Sequence, residues 1–240
     1  GDEKPKGKRP KVQATEFDLA IVLYQLFKDK FVCASIKNNT WYEFMNNRWY
    51  EVDNGSSLRY SISRELYTEY FVRHKQRVES EHYLETDDDN KLTKKARVIN
   101  YEVQRLCEIT VQLKTTKQKD NIMREAKELF YDKEFLNKLD HDPYLMCFTN
   151  GVVDFTTKTF RKGLPQDYLF RCTNIELVDH TKNKCAESVQ MIETFMCQLF
   201  PNPDLRRYMW DHLASTLIGT QDNQTFNIYL GSGRNGKSVL

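Results

Sequence analysis

The 240-residue sequence predicts an α+β fold that is predominantly helical, with a small N-terminal β-meander, a short mid-chain β-element and the opening strand of an α/β unit at its C-terminal end. Three observations predict it. Apolar residues recur every three or four positions through most of 57–140 and 184–218, the period of a helix with one buried face. Three β-rich runs separated by Asn pairs crowd into 31–53. One apolar run, Phe226–Leu230, leads into a glycine-rich segment.

Composition bounds what such a chain can do. Hydrophobic residues make up 40% and aromatics 12%, enough for a sizeable core. A formal net charge of +2 excludes a uniformly basic nucleic-acid coat but leaves room for local phosphate-binding patches. No apolar run approaches membrane-spanning length, and the opening "GDEKPKGKRPKV" has no apolar signal region. These features predict a soluble, intracellular chain with no membrane partner. Cysteines at 33, 107, 147, 172, 185 and 197 form no C-x-x-C pair, and the histidines show no metal-ligand spacing. Reduced thiols, mostly buried among apolar neighbours, are expected.

The elements follow in order. Residues 1–14, with five cations, Pro5, Pro10 and Gly7, read as a basic flexible linker. Thr15 with Asp18 three residues on resembles a capping box; Phe17, Ala20, Ile21, Tyr24 and Phe27 then carry a helical period. "FVCASI", "TWYEFM" and "RWYEV" are three strands turned at Asn38-Asn39 and Asn46-Asn47, since asparagine tolerates left-handed turn geometry. Trp41 and Trp49 can form a base-stacking platform, but packing a small sheet is the default. Leu58, Ile62 and Leu66 mark a helix; Ala96, Ile99, Val103, Leu106 and Leu113 another; Ile122, Ala126, Leu129 and Phe130 a third.

Loops are expected at "ETDDDNK" (85–91) and "KTTKQKD" (114–120), and the cations of this region (His74, Lys75, Arg77; Lys94, Lys95, Arg97; Lys114, Lys117, Lys119) read as solvated helix faces. A β-element follows Pro143, with Asn150-Gly151 as its turn, continued by "DYLFRCTNIEL". Asn150, Gly151 and Asp154 are a candidate polar site, but the turn reading takes precedence. Two helices close the pass, about Lys184–Leu199 and Pro203–Ile218, the second opened by Pro203 and stopped by Gly219.

The chemistry is concentrated in Gly231-Ser232-Gly233-Arg234-Asn235-Gly236-Lys237-Ser238, which fits G-x-x-x-x-G-K-[ST] at every fixed position. Its glycines let backbone N–H groups converge on phosphates, with the next helix N-terminus adding its dipole. Lys237 is placed for the β- and γ-phosphates and the Ser238 hydroxyl for Mg²⁺, so ATP and Mg²⁺ are the implied cofactors. Chance alone produces such a match in roughly one chain in a hundred of this length. Hydrolysis also needs an acidic Mg²⁺ partner and a water-orienting residue. Upstream aspartates such as Asp211 and Asp222 are not on plausible strands beside Phe226–Leu230, so the 240 residues alone are not expected to be a competent catalyst. A nucleotide kinase normally places this loop near the start of its domain, which counts against that class here.

"GSGRNGKS" resembles the Walker A loop of superfamily 3 helicases of the poxvirus primase-helicase type, a family of large DNA viruses, phages and plasmids. "WYEFMNNRWYEVD" resembles the tryptophan hairpin near the start of that family's pre-helicase domain. "FTNGVVDFTTKTFRKGLPQDYLF" is similar to its Asn-Gly segment, and "FMCQLFPNPDLRRYMWDHLASTLIGTQDNQTFNIYL" to its helical lead-in. The resemblance covers most of 30–240 in the family's order. It implies a linker at 1–14, a helicase-associated N-terminal domain at 15–180, a helical collar at 181–222, and the first strand and Walker A loop of a truncated AAA+ motor at 223–240. In that family the motor works as an ATP-driven hexameric ring on DNA at a replication fork, often after a primase domain, inside the host cell. A larger native protein is therefore expected, with DNA, further copies of itself and other replication proteins as partners. A non-catalytic DNA-binding or oligomerisation module is the rival.

Overall fold

A computed structural model describes residues 14–81, 94–179, 185–220 and 226–230. The chain divides into two compact units: residues 1–43 with 50–136, and residues 44–49 with 137–240.

The first unit opens on α1 (Glu16–Phe27). Its capping box forms as the sequence predicts: the Asp18 N–H donates to Thr15 Oγ1 at 3.2 Å, and the Thr15 N–H to Asp18 Oδ2 at 2.8 Å. The Thr15 N–H, and the Thr15 hydroxyl donating to the same oxygen at 2.9 Å, hold the Asp18 carboxyl below its ordinary pKa. The helix buries Leu19, Ala20 and Leu23, whereas Phe17 faces solvent. The predicted apolar face is thus rotated by about one residue.

Three strands follow, β1 (Phe31–Ser35), β2 (Thr40–Met45) and β3 (Arg48–Asp53), in the order β1-β2-β3. Both Asn turns adopt the anticipated geometry, with φ of 54° at Asn39, 48° at Asn46 and 70° at Asn47. Trp41 and Trp49 are buried, so they pack and do not offer faces to bases.

Helical structure resumes at α2 (Ser56–Ser61) and runs through one π-helical stretch (Ile62–Leu66) into α3 (Tyr67–Glu81). It is followed by α4 (Lys94–Gln112), α5 (Thr116–Leu129) and the short α6 (Phe135–Lys138). The expected loop at 114–120 is mostly helix, because α5 starts at Thr116 and its polar first turns face solvent. The acidic break at 85–91 lies outside the described residues.

Leu23, Phe31, Trp41, Leu58, Ile62, Leu66, Leu113 and Ile122 form the centre of this unit's core. The β1 backbone is tied to the end of α5, Cys33 N–H to Phe130 O at 2.9 Å and Asp132 N–H to Cys33 O at 3.1 Å.

In the second unit β4 (Leu145–Phe148), β5 (Gly151–Asp154) and β6 (Thr159–Arg161) make an antiparallel meander. Phe148 pairs with Gly151, so the turn residues are Thr149 and Asn150, and Gly151 already belongs to β5. None of the three has positive φ. Glycine is needed here because a Cβ would sit 2.6 Å from the Phe160 ring and 2.7 Å from Arg161 O. Asn150 is not a free polar site either: its side chain bonds both ways with the Leu177 backbone, at 2.9 and 3.0 Å. Asp154 accepts from the Thr156 and Thr157 N–H groups, which lower its pKa.

The segment "DYLFRCTNIEL" adds no strand, although Thr173 N–H reaches Cys147 O and Thr149 N–H reaches Ile175 O. Helices α7 (Ala186–Leu199) and α8 (Pro203–Ser215) follow. Asn202 caps α8, accepting from Asp204 and Leu205, with Pro203 in the first turn as anticipated. Gly219 does not cap it; the helix ends at Ser215, and Gly219 N–H instead donates to Pro143 O.

All six cysteines are free, but only Cys33 and Cys147 are buried, while Cys107 and Cys197 are exposed. Burial, with Cys172 alongside, pushes the Cys147 thiol up to about 12. At pH 8 iodoacetamide is expected to modify Cys107 and Cys197 quickly and Cys147 only after unfolding, because the thiolate is the nucleophile. Peptide mass spectrometry reads this out, and equal labelling of Cys147 would contradict the burial.

Candidate functional site

The phosphate-loop residues Gly231, Ser232, Gly233, Arg234, Asn235, Gly236, Lys237 and Ser238 lie outside the described residues. The run before them is described, and it is not the buried strand that its apolar composition predicts. Phe226–Leu230 has no strand pairing, and Phe226 and Leu230 are 85% and 89% exposed. An apolar strand is buried by the sheet around it, and no described strand pairs with this one. Tyr229 contacts the α8 residue His212, ring centroids 6.1 Å apart.

Two other motif segments do come together, within the second unit. The β2–β3 hairpin tip, Phe44–Trp49, is received by the loop that follows β6. Gly163 N–H donates to Asn47 Oδ1 at 2.9 Å, and Asn47 Nδ2 donates to Thr149 O at 3.3 Å. Trp49 gives its indole N–H to Pro165 O and its backbone N–H to Leu169 O, at 2.9 and 2.7 Å. Arg48 Nη1 reaches Phe170 O at 2.9 Å. Gly163 admits no side chain, since a Cβ would lie 2.4 Å from Asn47 O.

The same loop is braced by Arg161, whose two Nη atoms meet Asp167 Oδ1 and Oδ2 at 2.8 Å each. Asp140, at φ 52°, accepts from the Phe170 and Arg171 N–H groups. The polar groups named here bond to backbone groups or to one another. This is a scaffold, and its chemistry is structural.

A family model described as "D5 N terminal like" matches residues 20–201. The chain belongs to that family. The D5 N terminal like match includes the tryptophan hairpin and the Asn-Gly segment, two of the four pieces of sequence that carry the resemblance, and these two interlock. Membership in the N-terminal region of the poxvirus-type primase-helicases is thereby borne out.

The chain is 34% identical over 229 residues to "Putative helicase L207/L206" of Acanthamoeba polyphaga mimivirus, covering 95% of this chain and 23% of that protein. It is 34% identical over 148 residues to "Putative helicase 121R" of Invertebrate iridescent virus 3, covering 62% of this chain and 15% of the relative. "Putative helicase 022R" of Frog virus 3 (isolate Goorha) is 25% identical, with 94% and 31% covered. The chain thus spans about a quarter of the length of the mimivirus relative.

Several cations of the first unit are engaged by carboxylates, by rings or by both. Arg73, Arg77 and Arg105 each have a glutamate partner: Glu69 at 4.0 Å, Glu102 at 3.1 Å and Glu108 at 3.4 Å. Arg73 lies over Tyr70 as well, its Cζ 5.9 Å from the centroid. Lys75 and Lys114 lie over aromatic rings. The sequence showed Lys75 four residues after Phe71, a helical neighbour, but nothing local brings Lys114 to Tyr67. Among the described residues no cluster of His, Cys, Asp or Glu could hold a metal ion, and no helix is long and apolar enough to cross a membrane.

Proposed function

We propose that this chain is the pre-helicase region of a viral replicative helicase-primase. In this reading it supplies a collar-like assembly and DNA-contacting region together with the Walker A loop of an ATP-driven superfamily 3 motor of AAA+ type. The observation that carries it is the ordered set of family segments, matched over 20–201 and followed in the sequence by G-x-x-x-x-G-K-S at 231–238. The names of the relatives support a helicase as the whole protein. ATP and Mg²⁺ are its cofactors; its partners are DNA, further copies of itself in a hexamer and other replication proteins. The host cell interior is its place of work. When bound, the Mg²⁺-nucleotide supplies the phosphoryl group whose transfer to water drives the motor. Of this chain's residues, Lys237 would hold the terminal phosphates and Ser238 the metal.

Lys237→Ala is expected to abolish binding of a fluorescent ATP analogue by the helicase, without altering its circular dichroism. Unchanged nucleotide affinity would rule out the loop as the site. The oligomerisation-module reading is favoured by one observation, the solvent exposure of Met191 and Ile192 on α7 and of Leu205 and Tyr208 on α8. Light scattering distinguishes it: self-association that survives Lys237→Ala supports a module that assembles without nucleotide.

A further inference from the structure

The unbroken helical run from α2 through the π-helical stretch into α3 carries a column of rings and cations. Tyr67 and Phe71 stack with centroids 5.5 Å apart and planes 15° from parallel. Lys114 Nζ lies 3.9 Å from the Tyr67 centroid, and Lys75 Nζ 5.0 Å from that of Phe71. One turn before Tyr67, Arg64 lies over Tyr60, its Cζ 5.4 Å from the ring centroid. Tyr60 is 61% exposed, far more than an aromatic that serves only packing. Among the described residues none of Arg64, Lys75 or Lys114 has a carboxylate within ion-pair distance, in contrast to Arg73, Arg77 and Arg105. Arg64, Lys75 and Lys114 thus carry charge that no described carboxylate balances, beside Tyr60, Phe71 and Tyr67.

We infer that this face, Tyr60 and Arg64 with Tyr67, Phe71, Lys75 and Lys114, binds single-stranded DNA. The inference rests on the DNA-contacting reading above and names the surface that performs it. Bases of any sequence stack on exposed π faces, and flexible cations beside them take the phosphates. Lysines over rings suit both tasks, because a long unbranched stem swings the ammonium from ring face to phosphate as a base arrives. A duplex offers no unstacked base, so the rings discriminate for the single strand. From Tyr60 to Lys75 the helix advances about 22 Å at ~1.5 Å per residue, enough for several nucleotides. The π-helical stretch falls between the two ring groups, and such interruptions recur at functional sites.

The test is fluorescence anisotropy of a labelled oligo-dT against the chain at several salt concentrations. Lys75→Glu combined with Lys114→Glu, both at the surface, is expected to weaken binding tenfold or more. It should also flatten the slope of log affinity against log salt by about 1.4, roughly 0.7 for each phosphate no longer neutralised. Phe71→Leu keeps apolar bulk and is expected to weaken binding roughly fivefold or more while leaving the salt slope unchanged. Arg77→Glu, on a cation paired with Glu102 at 3.1 Å, serves as the control and should change affinity far less.

If the parent chain binds oligo-dT and the double variant binds equally well, this surface is overturned while the DNA-contacting reading stands. Absence of any oligo-dT binding by the parent overturns both. Equal affinity for a blunt duplex, or a Phe71→Leu variant indistinguishable from the parent, overturns the stacking role.

Discussion

Trp41→Ala is expected to cost the first unit about 3–5 kcal/mol, the range for deleting a fully buried aromatic. The indole is completely shielded from solvent and sits at a meeting point of the core. One side packs on Phe130, ring centroids 5.7 Å apart, and the indole lies so close to Gly55 that a Cβ there would be 3.1 Å from it. Its N–H donates to Asn39 Oδ1 at 3.0 Å, and Asn39 in turn donates to Asn54 Oδ1 at 2.7 Å. Alanine therefore opens a cavity and also frees the amide that steadies the turn before β2. Trp41→Phe retains most of the volume but loses the donor, so it should fall between alanine and the parent. Urea titration followed by far-UV circular dichroism measures both. A Trp41→Ala midpoint within experimental error of the parent would refute the packing described.

Asp167→Ala is expected to cost the second unit about 2–3 kcal/mol. The Asp167 carboxylate is only 8% exposed and accepts both arms of Arg161 as well as the Leu164 N–H at 2.7 Å. Removing one partner of a buried pair leaves the other desolvated and unmatched, a loss usually put at about 3–5 kcal/mol. Here Arg161 keeps 31% exposure and a second carboxylate, Asp154 at 3.8 Å, which reduces the penalty. Arg161→Lys should be nearly as damaging as alanine, because a single ammonium cannot make two parallel bonds to one carboxylate. Thermal unfolding of Asp167→Ala, Arg161→Ala and Arg161→Lys gives the ranking. Arg161→Lys as stable as the parent would show that the fork contributes charge only.

What could be read in the sequence was local. The Thr15–Asp18 cap and the Asn46-Asn47 turn involve residues at most three apart, and both formed as predicted. Asn150-Gly151 misled because the demand on Gly151 comes from the Phe160 ring, nine residues on, and not from the turn. The polar stretch at 114–120 looked like a loop because a helix whose opening turns lie in water has the same composition. Its buried residues, Ile122, Met123 and Ala126, come only later. The column on α3 depends on Lys114 meeting Tyr67, a contact made by tertiary packing and by no periodicity. The phosphate loop stands apart: its motif was the strongest signal in the chain, and the exposed Phe226–Leu230 before it shows how far a strand depends on its neighbours.

The reception of the hairpin tip by the second unit has a consequence for how the protein is made and cut. Asn47, Arg48 and Trp49 bond to acceptors and donors 102 to 122 positions further along. At ribosomal speeds of about 5–20 residues per second, those partners emerge roughly 5–25 s after the tip does. The tip must stay soluble through that interval, and its two asparagines and arginine equip it to do so. Nor can the second unit be expressed as one continuous piece starting at Asn137. Such a piece would lose the Asn47, Arg48 and Trp49 bonds to the Gly163 N–H and the Phe170 and Pro165 carbonyls, and a dissection of this protein has to carry residues 44–49 along with it.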